Sequence, residues 1–142
     1  AGDLARVTGW GPALVLTMTT AAELTRFGAA GIGADLEAKG IVWRHLPVDD
    51  YHADSPALAA GWAASSAQAR GILAQGGRVL VHCRGGCGRS GMAVLRLMVE
   101  LGEAPEIALA RLRAARPCAV ETDAQHAWAA SPPSPGADTR SS

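Results

Sequence analysis

The chain has 142 residues, of which 49% are hydrophobic and 18% charged, enough apolar side chain for one globular core and too little charge for a disordered polymer. Thirteen basic residues balance thirteen acidic ones, so formal net charge is zero at pH 7. That balance argues against a general nucleic-acid or membrane-surface binder, whose affinity rests on a basic excess, and confines any anion recognition to a local site.

In chain order, residues 3–7 begin a helical pattern that Gly9, Gly11 and Pro12 stop. Residues 13–18, ALVLTM, read as a short buried strand between breakers. Thr20 and Glu23 have the spacing of a capping box, in which hydroxyl and carboxylate each satisfy the other's orphan backbone donor, and open a short helix through Phe27. A second helix is expected over 33–39, ended by Gly40, followed by a strand over 41–48 and the acidic loop DDYHADSP. Ser55 before Pro56 is an N-cap and first-turn pair for a long helix to about residue 75, which Gly76 and Gly77 end.

Residues 78–82, RVLVH, are the continuous apolar kind of strand that a parallel sheet buries on both faces. Helices are expected over 90–102, with Arg96 and Glu100 paired on an exposed face, from Pro105 through Arg116, and from a Thr122 cap through about 129. Trp10, Trp43, Trp62 and Trp128 are expected in or near the core. The order predicts one α/β domain over 1–130 with a small, largely parallel sheet; the Ser-, Pro- and Gly-rich tail 131–142 is expected to be disordered.

The chemistry concentrates in HCRGGCGRSG, residues 82–91, which follows the third strand at the strand end where such sheets bind ligands. A thiol becomes a good nucleophile only when ionised, and Cys83 has three candidate stabilisers for its negative charge. They are the N-terminus of the next helix, the fixed cation of Arg89 and the hydroxyl of Ser90. Gly85, Gly86 and Gly88 let successive backbone N–H groups turn inward as a nest for a tetrahedral oxyanion, and Arg89 adds a bidentate fork. A phosphate held there with its phosphorus against a thiolate is set up for attack and a cysteinyl-phosphate intermediate.

This stretch resembles the H-C-x5-R-S/T signature loop of the cysteine-dependent protein tyrosine and dual-specificity phosphatases. With GGCGRS and the compact layout, the chain is most similar to the kinase-associated phosphatase group and its bacterial relatives. The likeness covers about residues 13–130. It implies the dual-specificity-phosphatase fold, here without all of the usual N-terminal edge strand, or else a trimmed sequence. It also implies Cys83 as nucleophile, Arg89 as phosphate grip, Ser90 as an aid to the departing thiolate, His82 as a support of the loop, and the backbone of Arg84 to Gly88, Cys87 included, as phosphate cradle. The family's general acid lies about 30 residues upstream on a loop, and the Pro-x-x-Asp pattern of LPVDD puts Asp50 there, with Asp49 and Asp54 as competitors. ETDAQHAW resembles the family's water-positioning Q-T-x-x-Q segment, with Glu121 replacing the first glutamine and Gln125 matching the second.

The implied activity is hydrolysis of phosphotyrosine, and of phosphoserine or phosphothreonine, in a protein or peptide, with no cofactor, nucleic acid or membrane partner. Other readings left open are a phosphate-binding module that turns over poorly, a phosphatase for a non-protein phosphate such as a phosphoinositide, and a rhodanese-type sulfur transferase. His82, Cys83 and Cys87 lack the paired spacing and fourth ligand of a zinc site. Cys83, Cys87 and Cys118 show no disulfide framework, so free thiols in a reducing, cytoplasmic setting are expected, with Cys87 and Cys118 as spectators. A reversible link between Cys83 and Cys87 would be a second role, suggested by their nearness in sequence alone. No apolar stretch approaches the roughly 18 residues of a membrane span.

Overall fold

The structure, a computed structural model, describes residues 2–84 and 87–130, the first three of them as backbone only. Gly85, Gly86 and the tail 131–142 lie outside the described residues. Three four-residue strands, β1 (Leu14–Thr17), β2 (Val42–His45) and β3 (Val79–His82), form one sheet in the order β2-β1-β3, both pairs parallel. The helices are α1 (Gly2–Trp10), α2 (Ala21–Arg26), α3 (Ile32–Ala38), α4 (Pro56–Ala74), α5 (Gly88–Glu100), α6 (Pro105–Ala115) and α7 (Asp123–Ala130).

Parallel neighbours require long crossovers, here α2 with α3 between β1 and β2, and α4 between β2 and β3. Helices therefore cover both faces, and central β1 is buried along its length, which explains its unbroken apolar run. Alternation along β1 sends Leu14 and Leu16, with Met18 just beyond, into a large core with Leu58, Trp62, Met92, Leu95 and Ala129. Val15 points the other way, into a smaller cluster with Leu36 and Ile41, flanked by Val7, Ile32 and Leu80. Each fully buried aliphatic side chain contributes about 1.5–3 kcal/mol relative to exposure.

The caps behave as their chemistry requires. Thr20 and Glu23 form the reciprocal capping box of α2, and Ser55 Oγ accepts from Leu58 N at the start of α4. Ser55 Oγ also donates to Pro47 O at 2.5 Å, tying the start of the acidic loop to that helix.

Several expectations need correction. The strand expected over 41–48 is ordered as strand only over Val42–His45, because Pro47 has no N–H for the ladder. The helix after the reactive loop starts at Gly88, not Ser90. Arg96 and Glu100 do not form an exposed pair: they are largely covered, and Glu100 accepts from Trp62, Ser66 and Arg96 while Arg96 stacks on Trp128 at 4.3 Å. Trp10 is exposed rather than in the core, with Arg78 over its ring at 5.5 Å. Among the described residues no strand precedes β1; the segment before it is α1.

Candidate active site

The reactive loop runs from the carboxyl end of β3 to the N-terminus of α5, and both ends are fixed by packing. On the strand side, Trp43 Nε1 donates to Thr17 Oγ1 at 2.8 Å, which leaves the threonine hydrogen for His82 Nε2 at 2.6 Å. A neutral imidazole can accept it, and burial, helped by the nearby His45, pushes the His82 pKa below its ordinary 6.5. On the helix side, residues Gly88 to Ala93 are all buried.

Cys83 follows β3 directly, with its sulfur over the first turn of α5. Ser90 N donates to Sγ at 3.3 Å and Ser90 Oγ lies 3.3 Å away as well. Ser90 is the third residue of the helix, so its N–H is one of the donors that a helix leaves without an internal partner. A negative sulfur there gains both that N–H and the positive end of the helix.

Arg89 is fully buried, and its orientation is set by two segments the sequence keeps far apart. Nη1 donates to Glu23 Oε1 at 2.6 Å and to Val48 O at 2.9 Å, and Nη2 donates to Glu23 Oε2 at 3.0 Å. Burial opposes the guanidinium charge, but the Glu23 hydrogen bonds and the negative charges of Glu23, Cys83 and Asp50 outweigh it and raise the Arg89 pKa. In return, the Arg89 hydrogen bonds hold Glu23 at about 2, against the opposing effect of burial and with help from Thr20. Among the described residues Arg89 Nε makes no hydrogen bond, and it faces Asp50 Oδ1 across 3.7 Å, too far for one. One N–H of a buried cation is thus left to act on a ligand.

Glu23 is the supporting residue that sequence reasoning missed. Its signal in the sequence is the capping box with Thr20, which by itself assigns the carboxylate to the helix N-terminus alone. In the structure the same carboxylate caps α2 and clamps Arg89.

Of the three candidate acids, the structure brings Asp50 to Arg89. Asp54 is exposed and pairs with His52 at 3.3 Å, and Asp49 is also exposed. Asp50 sits just before Tyr51, a non-glycine residue at φ 65°, whose N–H donates to Asp50 Oδ1 at 3.0 Å. Such a conformation costs energy and persists only where the surroundings enforce it. Here Val48 is anchored through its N–H to Met18 O, Thr122 Oγ1 donates to Tyr51 O, and Gln125 Nε2 donates to His52 O.

Glu121 and Gln125 also reach the site. Gln125 is fully buried, and its Oε1 accepts from Glu121 N at 2.8 Å and from Thr122 N at 3.3 Å. A Cβ on Gly88 would meet the Glu121 carboxylate and the Gln125 amide, so both side chains lie against the start of α5 and would have to shift to admit a larger residue there. Val120 is held at φ 63° by Arg113, which donates to the carbonyls of Ala119 and Val120.

Arg84, whose backbone is the part expected to serve the cradle, turns its guanidinium onto the Phe27 ring, 3.6 Å from its centroid. One expectation about the loop changes. Cys87 and Cys118 are not free spectators: they form a disulfide, Cα to Cα 5.1 Å, which leaves Cys83 as the free cysteine and removes Cys87 as its resolving partner. The cause is packing. Ala119 and Val120 approach Gly91 so closely that a Cβ there would come within 2.7 Å of Val120 N, and this brings Cys118 beside the start of α5.

The profile of a phosphatase-domain family, described as Swiss Army Knife protein, DSP-PTPase phosphatase domain, matches residues 3–129. Among solved structures, a kinase associated phosphatase with its catalytic-site cysteine changed to serine superposes with a TM-score of 0.77 at 23% identity, covering 89% of this chain and 71% of that one. The active form of Tk-PTP gives 0.68 at 28% identity, covering 87% and 79%, and PTPMT1 in complex with PI(5)P gives 0.68 at 23%, covering 81% and 72%. No curated protein matches the chain in sequence.

Proposed function

The chain belongs to the Swiss Army Knife DSP-PTPase phosphatase-domain family, and from that premise we propose that it is a phosphomonoester hydrolase working through a cysteinyl-phosphate intermediate. The observation that carries this reading is the Arg89 clamp: a buried guanidinium locked by Glu23 and Val48 O, its Nε facing Asp50 without a hydrogen bond among the described residues, in the same loop as a free cysteine on a helix N-terminus.

In the first step the Cys83 thiolate attacks phosphorus. The bond to the leaving oxygen breaks and Asp50, protonated, supplies that oxygen's hydrogen. Arg89 Nε and the N–H groups at the start of α5 hold the non-bridging oxygens as charge builds on them. In the second step water attacks the phosphorus, Asp50 takes its proton and the sulfur–phosphorus bond breaks, with the Ser90 hydroxyl donating to the departing sulfur. Gln125, which holds the backbone of Glu121, and Glu121 itself, lying against Gly88, support the water's place. The charge comes from Arg89 and the helix, so the scheme requires no metal.

Phosphotyrosine, and phosphoserine or phosphothreonine, are the substrates suggested by the resemblance. The PTPMT1 complex with PI(5)P adds a phosphoinositide to the candidates. A second reading, a phosphate-binding module with slow turnover, draws on Glu121, whose carboxylate adds negative charge beside a bound dianion. Hydrolysis of p-nitrophenyl phosphate separates the two: the wild-type chain turns over and the Cys83→Ser form does not. A wild-type chain that binds inorganic phosphate without turnover would overturn the hydrolase in favour of the binding module.

A further inference from the structure

The Cys87–Cys118 bond joins two segments that the proposed reaction uses. Cys87 is the N-cap residue of α5, one position before Gly88 in the reactive loop. Cys118 lies in the connector 116–122 between α6 and α7, which has no helix or strand of its own. That connector carries Glu121 against Gly88, and Gln125 Oε1 accepts from the N–H groups of Glu121 and Thr122 at its end. It also reaches the acidic loop: Thr122 Oγ1 donates to Tyr51 O at 3.3 Å and Gln125 Nε2 to His52 O at 3.4 Å. One covalent link therefore ties the phosphate-handling loop to the groups assigned to the attacking water and, through two hydrogen bonds, to the loop of Asp50.

The connector has other support. Ala119 and Val120 are buried against Gly91, and Arg113 donates to both of their carbonyls. These contacts keep it on α5 when the disulfide is open; the disulfide fixes its exact position beside Cys87 and Gly88. The bond is also placed to be opened. Cys118 is exposed while Cys87 is half-buried, so an external thiolate reaches the Cys118 sulfur first, and exposed disulfides are the readily reduced ones. The sulfur displaced is then that of Cys87, at the positive end of α5, where a departing thiolate is stabilised.

We infer that Cys118 is a positioning residue for hydrolysis of the cysteinyl-phosphate, and that reduction of its bond to Cys87 slows this step while leaving transfer of phosphate to Cys83 intact. This rests on the hydrolase reading and adds redox control of its second step. Water attack needs Asp50 as base, with Glu121 and Gln125 about the water. Transfer from an aryl phosphate with a good leaving group needs Cys83, Arg89 and the N–H groups of α5, and Arg89 is held by Glu23 and Val48 O without help from Cys118. The reductant is a dithiol. One of its thiolates attacks Cys118 Sγ and breaks the S–S bond, and the Cys87 thiolate leaves and takes a proton. Its second thiol displaces the Cys118 thiolate, which takes a proton in turn, so the protein is reduced and the dithiol becomes a cyclic disulfide.

Stopped-flow measurement of p-nitrophenyl phosphate hydrolysis tests this on the oxidised wild type, the same protein reduced with dithiothreitol, and Cys118→Ser. Thiol titration defines the states: of the three cysteines, one is free in the oxidised wild type and all are free after reduction. The reduced protein and Cys118→Ser are expected to release the first equivalent of p-nitrophenolate at a rate within about twofold of the oxidised protein, then to turn over roughly 10- to 100-fold more slowly. Reoxidation is expected to restore the wild type. Dithiothreitol is expected to leave Cys118→Ser unchanged, which separates the effect from protection of the Cys83 thiol.

A reduced wild type, folded by circular dichroism, that turns over as fast as the oxidised one would overturn the proposal. So would an equal fall in the first-equivalent rate and in steady turnover, the mark of general loosening, or three free thiols in protein treated with glutathione disulfide. An oxidised wild type that binds inorganic phosphate but releases no p-nitrophenolate would instead sink the hydrolase reading, and this inference with it.

Discussion

Replacing Glu23 by glutamine tests the electrostatic centre of the site. A carboxyl held at about 2 rather than 4.5 corresponds to roughly 3 kcal/mol of preference for its ionised, paired form. Breaking a buried pair from one side costs about 3–5 kcal/mol, because the remaining charge has lost its counter-ion. Glu23 keeps 17% of its side chain exposed and glutamine retains one acceptor oxygen, so the cost here falls to about 2–3 kcal/mol. For a domain of this size that lowers the melting temperature by about 6–15 °C.

The pH dependence gives a second reading of the same interaction. The folded pKa lies below the unfolded one, so the stabilisation is fully present above pH 4.5 and is lost as pH falls from 4.5 towards 2. Urea denaturation of wild type and Glu23→Gln across that window should show the difference between them shrinking as the pH drops. Turnover should fall as well, since Arg89 exchanges a bidentate carboxylate for a single neutral acceptor beside Val48 O. A melting temperature within 2 °C of wild type, or a stability difference independent of pH between 4.5 and 2, would refute the clamp.

Three other outcomes are expected. Asp50→Asn should slow hydrolysis of an alkyl phosphate by roughly 10²–10⁴-fold, and formation of the cysteinyl-phosphate from a nitrophenyl phosphate far less, because only the poor leaving group needs the proton; full turnover of the alkyl phosphate by the variant would place the acid elsewhere. Cys118→Ser, which opens a link spanning 31 positions, should cost about 3–4 kcal/mol on the chain-entropy account, read as a lower denaturation midpoint, and an unchanged midpoint in oxidising buffer would show the bond is not formed. His82 should titrate below 6.5 by NMR. Its contribution to stability is complete above that pH and declines as pH falls through 6.5, so an imidazole titrating at or above 6.5 contradicts the chain from Trp43 through Thr17.

Where the sequence was legible, the determining physics is local. The capping box at Thr20, the Ser-Pro start at residue 55 and the unbroken apolar strand before His82 act over a few neighbouring residues, and each places its element to within a few positions. The reactive loop is legible for the same reason: a thiol, glycines and an arginine in one short segment leave few chemistries open. Errors arose where distant segments meet. Arg96 and Glu100 have the spacing of a surface pair, but α4 and α7 cover them with Trp62 and Trp128.

By itself, then, the amino-acid order determined the helices, the parallel sheet and the loop carrying Cys83 and Arg89, because backbone propensity and short-range capping are written in adjacent residues. Tertiary packing decided the rest. It chose Glu23 as the counter-ion of Arg89 across 66 positions, brought Asp50 rather than Asp49 or Asp54 to that cation, and joined Cys87 to Cys118. Charge pairing and disulfide formation depend on separations of a few ångströms in space, and those separations exist only after the sheet and α5 have packed.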